Sequence, residues 1–210
     1  MFKKTLIIMT FLVGFSFSQD FEMPGLGVYV GGVMSTIGGQ AADDWDEIGG
    51  EVGYSMSGPM LGVSYATMAG NFPLFVGAGL GARSGLLTAE GMDDTTVCFQ
   101  YLDMWVTMPY PINDNTNLYG GLLFGKALSG SRTEGDADAV DMEDEELPTG
   151  MDMGIVFGLG YGLPIMDGAL GLNLGYVYGL AELENDVPND DTKWNHSGFF
   201  MTLNYDIPGM

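Results

Sequence analysis

The sequence is poor in basic residues, in cysteine and in long apolar runs. It has 6 Lys and Arg residues against 28 Asp and Glu residues, and a formal net charge of -22. This scarcity of basic side chains excludes nucleic-acid binding, because Lys and Arg are what neutralise phosphate groups. Cys98 is the only cysteine, which excludes an internal disulfide and a metal site built on several thiolates. We expect Cys98 to be a small packing residue on a strand.

Beyond the N-terminus, the chain has no apolar run of the ~18 residues that a transmembrane helix requires. The N-terminus itself carries the basic stretch "MFKK", then the apolar run "TLIIMTFLVGF", then small residues at Ser16 and Ser18. This order is typical of a secretory signal peptide, so we expect residues 1–18 to be removed before Gln19. Residues 19–210 would then form one exported domain.

Apolar and aromatic residues are abundant, at 46% and 12% of the chain, alongside 34 glycines. A disordered acidic chain would have few aromatic residues, so this one is expected to fold. In "ALGLNLGYVYGL", residues 169–180, large apolar side chains alternate with mostly small ones, and a period of two indicates a β-strand. The same alternation predicts eight strands, over residues 25–35, 60–68, 74–86, 97–108, 117–128, 151–163, 169–180 and 198–205.

The connections between these strands alternate in length and charge. Short turns containing "AGNFP", "PINDN" and "PIMDG" follow the even-numbered strands, and long loops near 38–57, 87–96, 129–150 and 181–194 follow the odd-numbered ones. The long loops hold most of the acidic residues. The pattern predicts an all-β fold, an eight-stranded antiparallel up-and-down transmembrane β-barrel with large side chains toward lipid and small ones toward the lumen. The barrel must close, since unpaired backbone groups in lipid cost several kcal/mol each, and an even strand count leaves both termini in the periplasm.

The chain resembles the small bacterial outer-membrane β-barrel family, PorT-like and OmpX/OmpA-like in size. The resemblance rests on "GVYVGGVMS", "QYLDMWVTMPYPI", "GIVFGLGYGL", "LGLNLGYVYGL" and the closing strand "HSGFFMTLNY". It implies location in the outer membrane and insertion by the barrel assembly machinery. The family usually ends on an aromatic residue, whereas here "DIPGM" follows Tyr205.

Arg83 and Asp103 fall on the inward rows of the third and fourth predicted strands. Lone buried charges are costly, so we expect the two to form an ion pair in the lumen. One interpretation is a structural pair in a closed lumen, and the alternative is a polar constriction for a small solute. The inward glycines leave space that inward aromatic residues are expected to fill, namely Tyr29, Phe75, Tyr101, Trp105 and Phe200.

The long loop at 129–150 is a candidate site for Ca²⁺ or Mg²⁺, because carboxylate oxygens suit these ions. The candidate ligands are Asp136, Asp138, Asp141, Glu143 and Asp144. The spacing does not match an EF-hand, and acidic runs are usually solvated loops, so loose bridging to lipopolysaccharide is favoured over a defined site.

His196 is the only histidine, and Ser197 beside it would point to the opposite face of the strand, so the two cannot act as a catalytic pair. Aromatic residues are expected in belts at both membrane interfaces. The candidates are Tyr65, Phe72, Tyr110, Tyr119, Tyr161, Tyr176, Tyr178, Trp194 and Tyr205.

The sequence therefore predicts an outer-membrane barrel with a structural or surface-interaction role, a largely plugged lumen, no cofactor and no catalysis. Its partners would be membrane lipid and lipopolysaccharide. One alternative is a narrow channel or binder for a small solute, and a less favoured one is a lipid-active hydrolase. A soluble lipocalin-like barrel would reverse the two faces and place the large apolar row inside.

Overall fold

The computed structural model describes residues 25–163, 170–188 and 192–207. The expected signal peptide, the "PIMDG" turn, Asp190 and Asp191 lie outside these ranges. The elements, in chain order, are β1 Leu26–Gly38, α1 Gln40–Glu47, β2 Gly50–Gly53, β3 Ser55–Ala69, β4 Phe72–Ala89, β5 Thr95–Asn113, β6 Thr116–Glu134, β7 Val140–Asp141, a 3-10 helix Asp144–Glu146, β8 Asp152–Gly162, β9 Leu170–Gly179 and β10 Asn195–Asp206. Among these residues, no helix is long and apolar enough to cross a membrane.

Eight long antiparallel strands close into a ring. β1 pairs with β3, and the ring continues through β4, β5, β6, β8 and β9 to β10, which pairs back with β1 from Gly27↔Asp206 to Gly38↔Asn195. Each strand is joined to its neighbour in the chain, so the predicted eight-stranded up-and-down barrel is confirmed. We call the end with the short connections at 69–72 and 113–116 the turn end, and the opposite end the loop end.

The loop end is more ordered than the sequence predicts. β4, β5 and β6 contain 18, 19 and 19 residues, against 10 to 13 in β1, β8, β9 and β10. They extend past the ring, where β4 pairs with the short strand β2 and β6 pairs with the short strand β7. The predicted loop at 38–57 thus contains α1 and β2, and the loop at 129–150 contains the end of β6, β7 and the 3-10 helix. These additions lack a long period-two pattern, which is why alternation alone missed them.

The large member of each alternating pair points outward. On β10, the Met201 residue is 55% exposed whereas the neighbouring Thr202 residue is 4% exposed. On β8, Ile155 and Phe157 are exposed and Val156 between them is buried. The faces are therefore those of a membrane barrel, and the reversed arrangement of a lipocalin-like barrel does not occur.

The β3–β4 ladder is interrupted near the loop end, and serine side chains bridge the interruption. Continuous pairing stops at Leu61↔Leu80. Beyond it, the Ser84 backbone N–H donates to the Ser35 Oγ at 2.6 Å, and the Ser35 hydroxyl is 2.8 Å from the Ser84 carbonyl oxygen. The Ser57 hydroxyl lies 2.6 Å from the same Ser35 Oγ. These contacts supply polar partners to backbone that has lost its ladder neighbour.

Candidate functional site

A buried charged cluster lies inside the barrel where the ring meets the loop end. The Arg83 Nη2 donates to the Asp103 Oδ1 at 2.8 Å, and the Arg83 Nε is 2.8 Å from the Asp152 Oδ2. The Arg83 guanidinium carbon lies 4.0 Å from the centre of the Tyr101 ring, within the range of a cation–π contact. We call these four residues, together with His196, the Arg83 cluster.

Strand register places the two carboxylates on either side of a glycine. Asp103 of β5 and Asp152 of β8 are both register partners of Gly125 on β6. A Cβ on Gly125 would lie 2.6 Å from the Asp103 Oδ1 and 2.9 Å from the Arg83 Nη2. The missing side chain leaves the space in which one guanidinium can contact both carboxylates.

The structure brings the predicted residues Arg83 and Asp103 together, and it adds partners that sequence reasoning missed. Asp152 and His196 were not assigned to this site. Both lie on inward rows of their strands, Asp152 in line with Gly154 and Val156, and His196 in line with Gly198 and Phe200. The sequence signal that could have assigned them to this site is a titratable side chain on an inward row, near the same end of the barrel as Arg83.

Polar atoms of the Arg83 cluster are buried without partners. Among the described residues, the Arg83 Nη1, the Tyr101 hydroxyl and both ring nitrogens of His196 have no hydrogen bond. The His196 Nδ1 is 3.7 Å from the Asp152 Oδ2, which is too far for a hydrogen bond. Buried polar groups without partners are rare and call for an explanation.

On its loop-end side the cluster is covered by apolar side chains, which we call the plug. The Phe99 and Trp194 rings stack with centroids 6.3 Å apart, and Phe99 also meets the His196 ring edge-on at 5.8 Å. Paired backbone hydrogen bonds between Leu183 and Trp194 fix the last long loop over the mouth. The buried members of the plug, with Tyr101 shared, are Ile37, Phe99, Tyr101, Ala127, Leu183 and Trp194.

On its turn-end side the Arg83 cluster adjoins a cavity of about 230 Å³. Arg83, Asp103 and His196 line its inner end, and Asn117 and Asp206 line it near the turn end. The plug and this cavity therefore lie on opposite sides of the Arg83 cluster.

On two opposite walls of this cavity, aromatic rings pack directly against inward-facing glycines. Tyr29 lies over the β3–β4 wall, where a Cβ on Gly62 would be 2.6 Å from the Tyr29 hydroxyl. Trp105 lies over the same wall, against Gly77, and its ring centre is 6.2 Å from that of Tyr29.

The facing wall has the same construction. Phe200 and Tyr119 lie over β8–β9, where a Cβ on Gly175 would be 2.5 Å from the Phe200 Cζ and 2.8 Å from the Tyr119 hydroxyl. In the ring of eight, β3–β4 and β8–β9 are diametrically opposed. The two pairs of aromatic rings therefore lie on opposite sides of the cavity. Tyr29, Phe75, Trp105 and Phe200 line this cavity, whereas Tyr101 belongs to the plug.

The predicted location in the aromatic belts is wrong for two residues, Tyr119 and Trp194. Tyr119 points inward, where its hydroxyl donates to the Leu174 carbonyl oxygen at 3.2 Å, and Trp194 is buried in the plug. Because adjacent strand residues face opposite sides, Tyr119 was already expected to point inward next to the outward residue Leu118. Trp194 lies just before β10, where strand alternation does not apply. An outward aromatic row does run across β8, β9 and β10, through Phe157, Tyr176 and Phe199, with ring centres 5.6 Å and 4.7 Å apart.

The candidate cation loop is exposed. Asp136, Asp138, Asp141, Glu143 and Asp144 are all solvent-accessible. Among the described residues, no three His, Cys, Asp or Glu side chains converge as they would around a metal ion.

His196 and Ser197 do not bond to each other. The Ser197 Oγ instead accepts from the Gly179 backbone N–H at 3.1 Å, and the His196 nitrogens have no hydrogen-bond partner among the described residues. The contact between nucleophile and base that hydrolysis needs is absent from this part of the structure.

Comparison with known proteins finds no matching family model and no matching curated protein. Solved structures do match. Neisserial surface protein A has a TM-score of 0.53 at 10% identity, over 87% of this chain and 97% of that one. The attachment invasion locus protein Ail of Yersinia pestis has a TM-score of 0.41 at 14% identity, over 86% and 99% of the two chains. The N-terminal β-barrel domain of Pseudomonas aeruginosa OprF has a TM-score of 0.32 at 12% identity, over 85% and 97%.

At such low identity the likeness concerns the fold, and it rests on Neisserial surface protein A. The PorT-like part of the resemblance stays a prediction. The strand ring, its register and this likeness together show that the chain folds as an eight-stranded antiparallel up-and-down β-barrel, a fold similar to that of Neisserial surface protein A.

Proposed function

We propose that this protein is an integral barrel of the bacterial outer membrane with a structural or surface-interaction role. The observation that carries the proposal is the band of large apolar side chains on the outside of the ring. A water-soluble monomer rarely exposes apolar patches beyond a few hundred Å², whereas lipid accommodates such a band. Every strand of the ring contributes to it, including Val30, Leu61, Leu80, Met104, Leu122, Ile155, Leu174 and Met201, each more than a third exposed.

The proposed orientation places the loop end outside the cell and the turn end in the periplasm. Small outer-membrane barrels have short periplasmic turns and longer external loops, and in this barrel β1 begins and β10 ends at the turn end. The signal peptide at residues 1–18 and insertion by the barrel assembly machinery belong to the same proposal. The acidic loops would then meet the lipopolysaccharide layer, where Ca²⁺ or Mg²⁺ can bridge carboxylates to lipid phosphate groups.

The proposed role does not include conduction. Phe99, Tyr101, Leu183 and Trp194 fill the lumen across its loop end, and the Arg83 cluster lies directly beneath them. An ion crossing the barrel would have to displace both layers. We therefore favour a closed barrel over a narrow channel.

Solubility tests the membrane assignment. The mature chain, residues 19–210, should stay monomeric in detergent or lipid vesicles and should aggregate when detergent is removed. Recovery of a folded monomer in plain buffer would contradict the proposal.

Proteolysis of intact cells tests the orientation. A glutamate-specific protease added outside should cut in the region of Glu143–Glu146 and leave the membrane-embedded strands protected. Cleavage that requires disruption of the outer membrane would place the loop end on the other side.

Conductance tests closure. The protein in a planar bilayer should give no steady current, because the plug and the Arg83 cluster obstruct the lumen. A stable open level would support the narrow-channel alternative instead.

A further inference from the structure

One wall of the cavity carries two aromatic rings and a carboxylate over successive inward glycines of β4. These glycines are Gly77, Gly79 and Gly81. The Trp105 ring lies over the first, the Tyr29 hydroxyl over the second and the Asp103 Oδ2 over the third. Residues on one face of a strand are about 7 Å apart, so the three groups are close neighbours, and all three line the cavity.

The charge balance of the cavity favours a cation. Arg83 binds both Asp103 and Asp152, and of these two carboxylates only Asp103 lines the cavity. Asp206 adds a second lining carboxylate, whereas Arg83 is the only Lys or Arg among the described residues that line it. Three carboxylates thus accompany one guanidinium. An uncompensated negative charge inside a barrel is costly, and a cation in the cavity would compensate it.

The aromatic lining selects a cation with an apolar surface. The Tyr29 and Trp105 ring centres are 6.2 Å apart, with the two planes tilted by 58°, and aromatic rings in such groups bind quaternary ammonium ions through cation–π contacts. A metal ion would require several converging ligands, and no three His, Cys, Asp or Glu side chains converge in the part of the chain that the structure describes. The volume of about 230 Å³ lies below the usual range for drug-sized ligands, so the cation is small.

The turn end is the side from which a cation can reach this site. The plug fills the lumen on the other side of the Arg83 cluster, whereas the lining of the cavity continues to Asn117 and Asp206 near the turn end. Asp206 is half-buried and pairs with Gly27 at the start of β1. Its carboxylate therefore lies on the path of an entering cation, which it attracts.

We propose that the cavity binds a small quaternary ammonium ion, admitted through the turn end. The methyl groups of the ion contact the Trp105 and Tyr29 rings, and Asp103 supplies the nearest negative charge. This inference goes beyond the proposed membrane role. It needs only the fold and the cavity, so it can be tested on detergent-folded protein, and its failure would leave the membrane proposal unaffected.

Binding is measured by titration calorimetry on the full mature chain, folded in a polyoxyethylene detergent that has neither charge nor a choline head group. The probe is choline. Its neutral isostere, in which a carbon atom replaces the charged nitrogen, keeps the shape without the charge. Ethanolamine keeps the charge but replaces the methyl groups by N–H groups. Sodium chloride is present in every titration, so that an inorganic cation competes throughout.

We expect choline to bind saturably, and the neutral isostere and ethanolamine to bind at least about tenfold more weakly, because the first lacks the charge and the second lacks the apolar surface that aromatic rings contact. No saturation by choline up to about 10 mM, well above the dissociation constant of a millimolar ligand, would overturn the proposal. The isostere or ethanolamine binding as tightly as choline would overturn it as well.

Variants of Trp105 test the aromatic contact. W105L should weaken choline binding about threefold to thirtyfold, the range of one cation–π contact, and W105F, which keeps a ring, should lie between W105L and the native protein. The matched control is M104L, because the adjacent Met104 points outward and is 52% exposed; it should leave binding unchanged. Unchanged choline affinity in folded W105L would refute the assignment.

A second pair of variants tests the entrance and covers the case in which W105L fails to fold. D206N removes the half-buried carboxylate near the turn end and should weaken choline binding about twofold to fivefold, as expected for a partly screened charge. Its control is D114N, because Asp114 lies in the exposed turn at 113–116 and does not line the cavity. Equal choline affinities in D206N and D114N would place the ion outside the cavity and refute the proposal.

Discussion

Replacing Arg83 by methionine is the perturbation whose effect the structure specifies most closely. Arg83 is the cation that contacts Asp103 and Asp152, which are 7% and 3% exposed. R83M keeps most of the side-chain volume but leaves two buried carboxylates without their cation. Removal of one partner from a buried ion pair typically costs about 3–5 kcal/mol, so we expect the free energy of unfolding to fall by that amount.

The chain supplies a matched control. Arg132 on β6 also pairs with a carboxylate, at 3.5 Å from Glu134, but the two side chains are 47% and 63% exposed. Exposed pairs contribute about 0–1 kcal/mol, so R132M should be nearly neutral. The triple variant R83M/D103N/D152N removes the uncompensated charges together and should recover most of the loss.

The assay is urea unfolding of the barrel in lipid vesicles, followed by tryptophan fluorescence and by the gel mobility of the folded form. Equal losses of stability in R83M and R132M would contradict this expectation. A triple variant no more stable than R83M would contradict it as well, because the loss would then come from packing and not from charge.

Three further outcomes follow from the structure. G175A should lower the free energy of unfolding by about 1–3 kcal/mol through overpacking, because the added Cβ meets Phe200. Adding F200L to G175A should restore part of that stability. G171A on the same strand should be tolerated, because the nearest atom to its Cβ would be 3.7 Å away. The mass of the protein purified from outer membranes should correspond to a chain that begins at Gln19, and retention of residues 1–18 would contradict the signal-peptide prediction. Calorimetry with millimolar Ca²⁺ should give no saturable heat at the loop of residues 129–150, and a stoichiometric transition would show a defined cation site there.

The ring of strands could be predicted from the sequence because lipid and lumen impose opposite requirements on alternate residues. Leu172 and Leu174 face out while Gly171 and Asn173 face in, and a shift of one residue would reverse both faces. The same rule predicted the outward row of β5 correctly, because turning Asp103 inward removed a carboxylate from lipid.

The loop end could not be predicted in the same way. α1, β2 and β7 pack against their neighbours through contacts that are distant in the sequence, and short elements carry too few residues to show a period. Trp194 appeared suited to a membrane interface, but its place in the plug depends on a backbone pairing with Leu183 that no local pattern encodes.

Only part of the Arg83 cluster could be predicted from the sequence. Opposite charges on the neighbouring strands of Arg83 and Asp103 predicted a pair, because they are adjacent in any up-and-down barrel. Asp152 joins them across Gly125, and this relation requires the register of three strands. Register depends on bulges such as the one at Gln100/Tyr101, which a single sequence does not reveal.

The outward direction of the large residues can be measured with spin labels, because Cys98 is the only native thiol and C98S gives a background free of cysteine. Single cysteines at Leu172, Asn173 and Leu174 would carry a nitroxide in lipid vesicles. The labels at 172 and 174 should collide frequently with dissolved oxygen and rarely with a water-soluble nickel complex, whereas the label at 173 should show little oxygen contact. The opposite ranking, with residue 173 in lipid and its two neighbours shielded from it, would contradict the assignment of the faces on which the whole account rests.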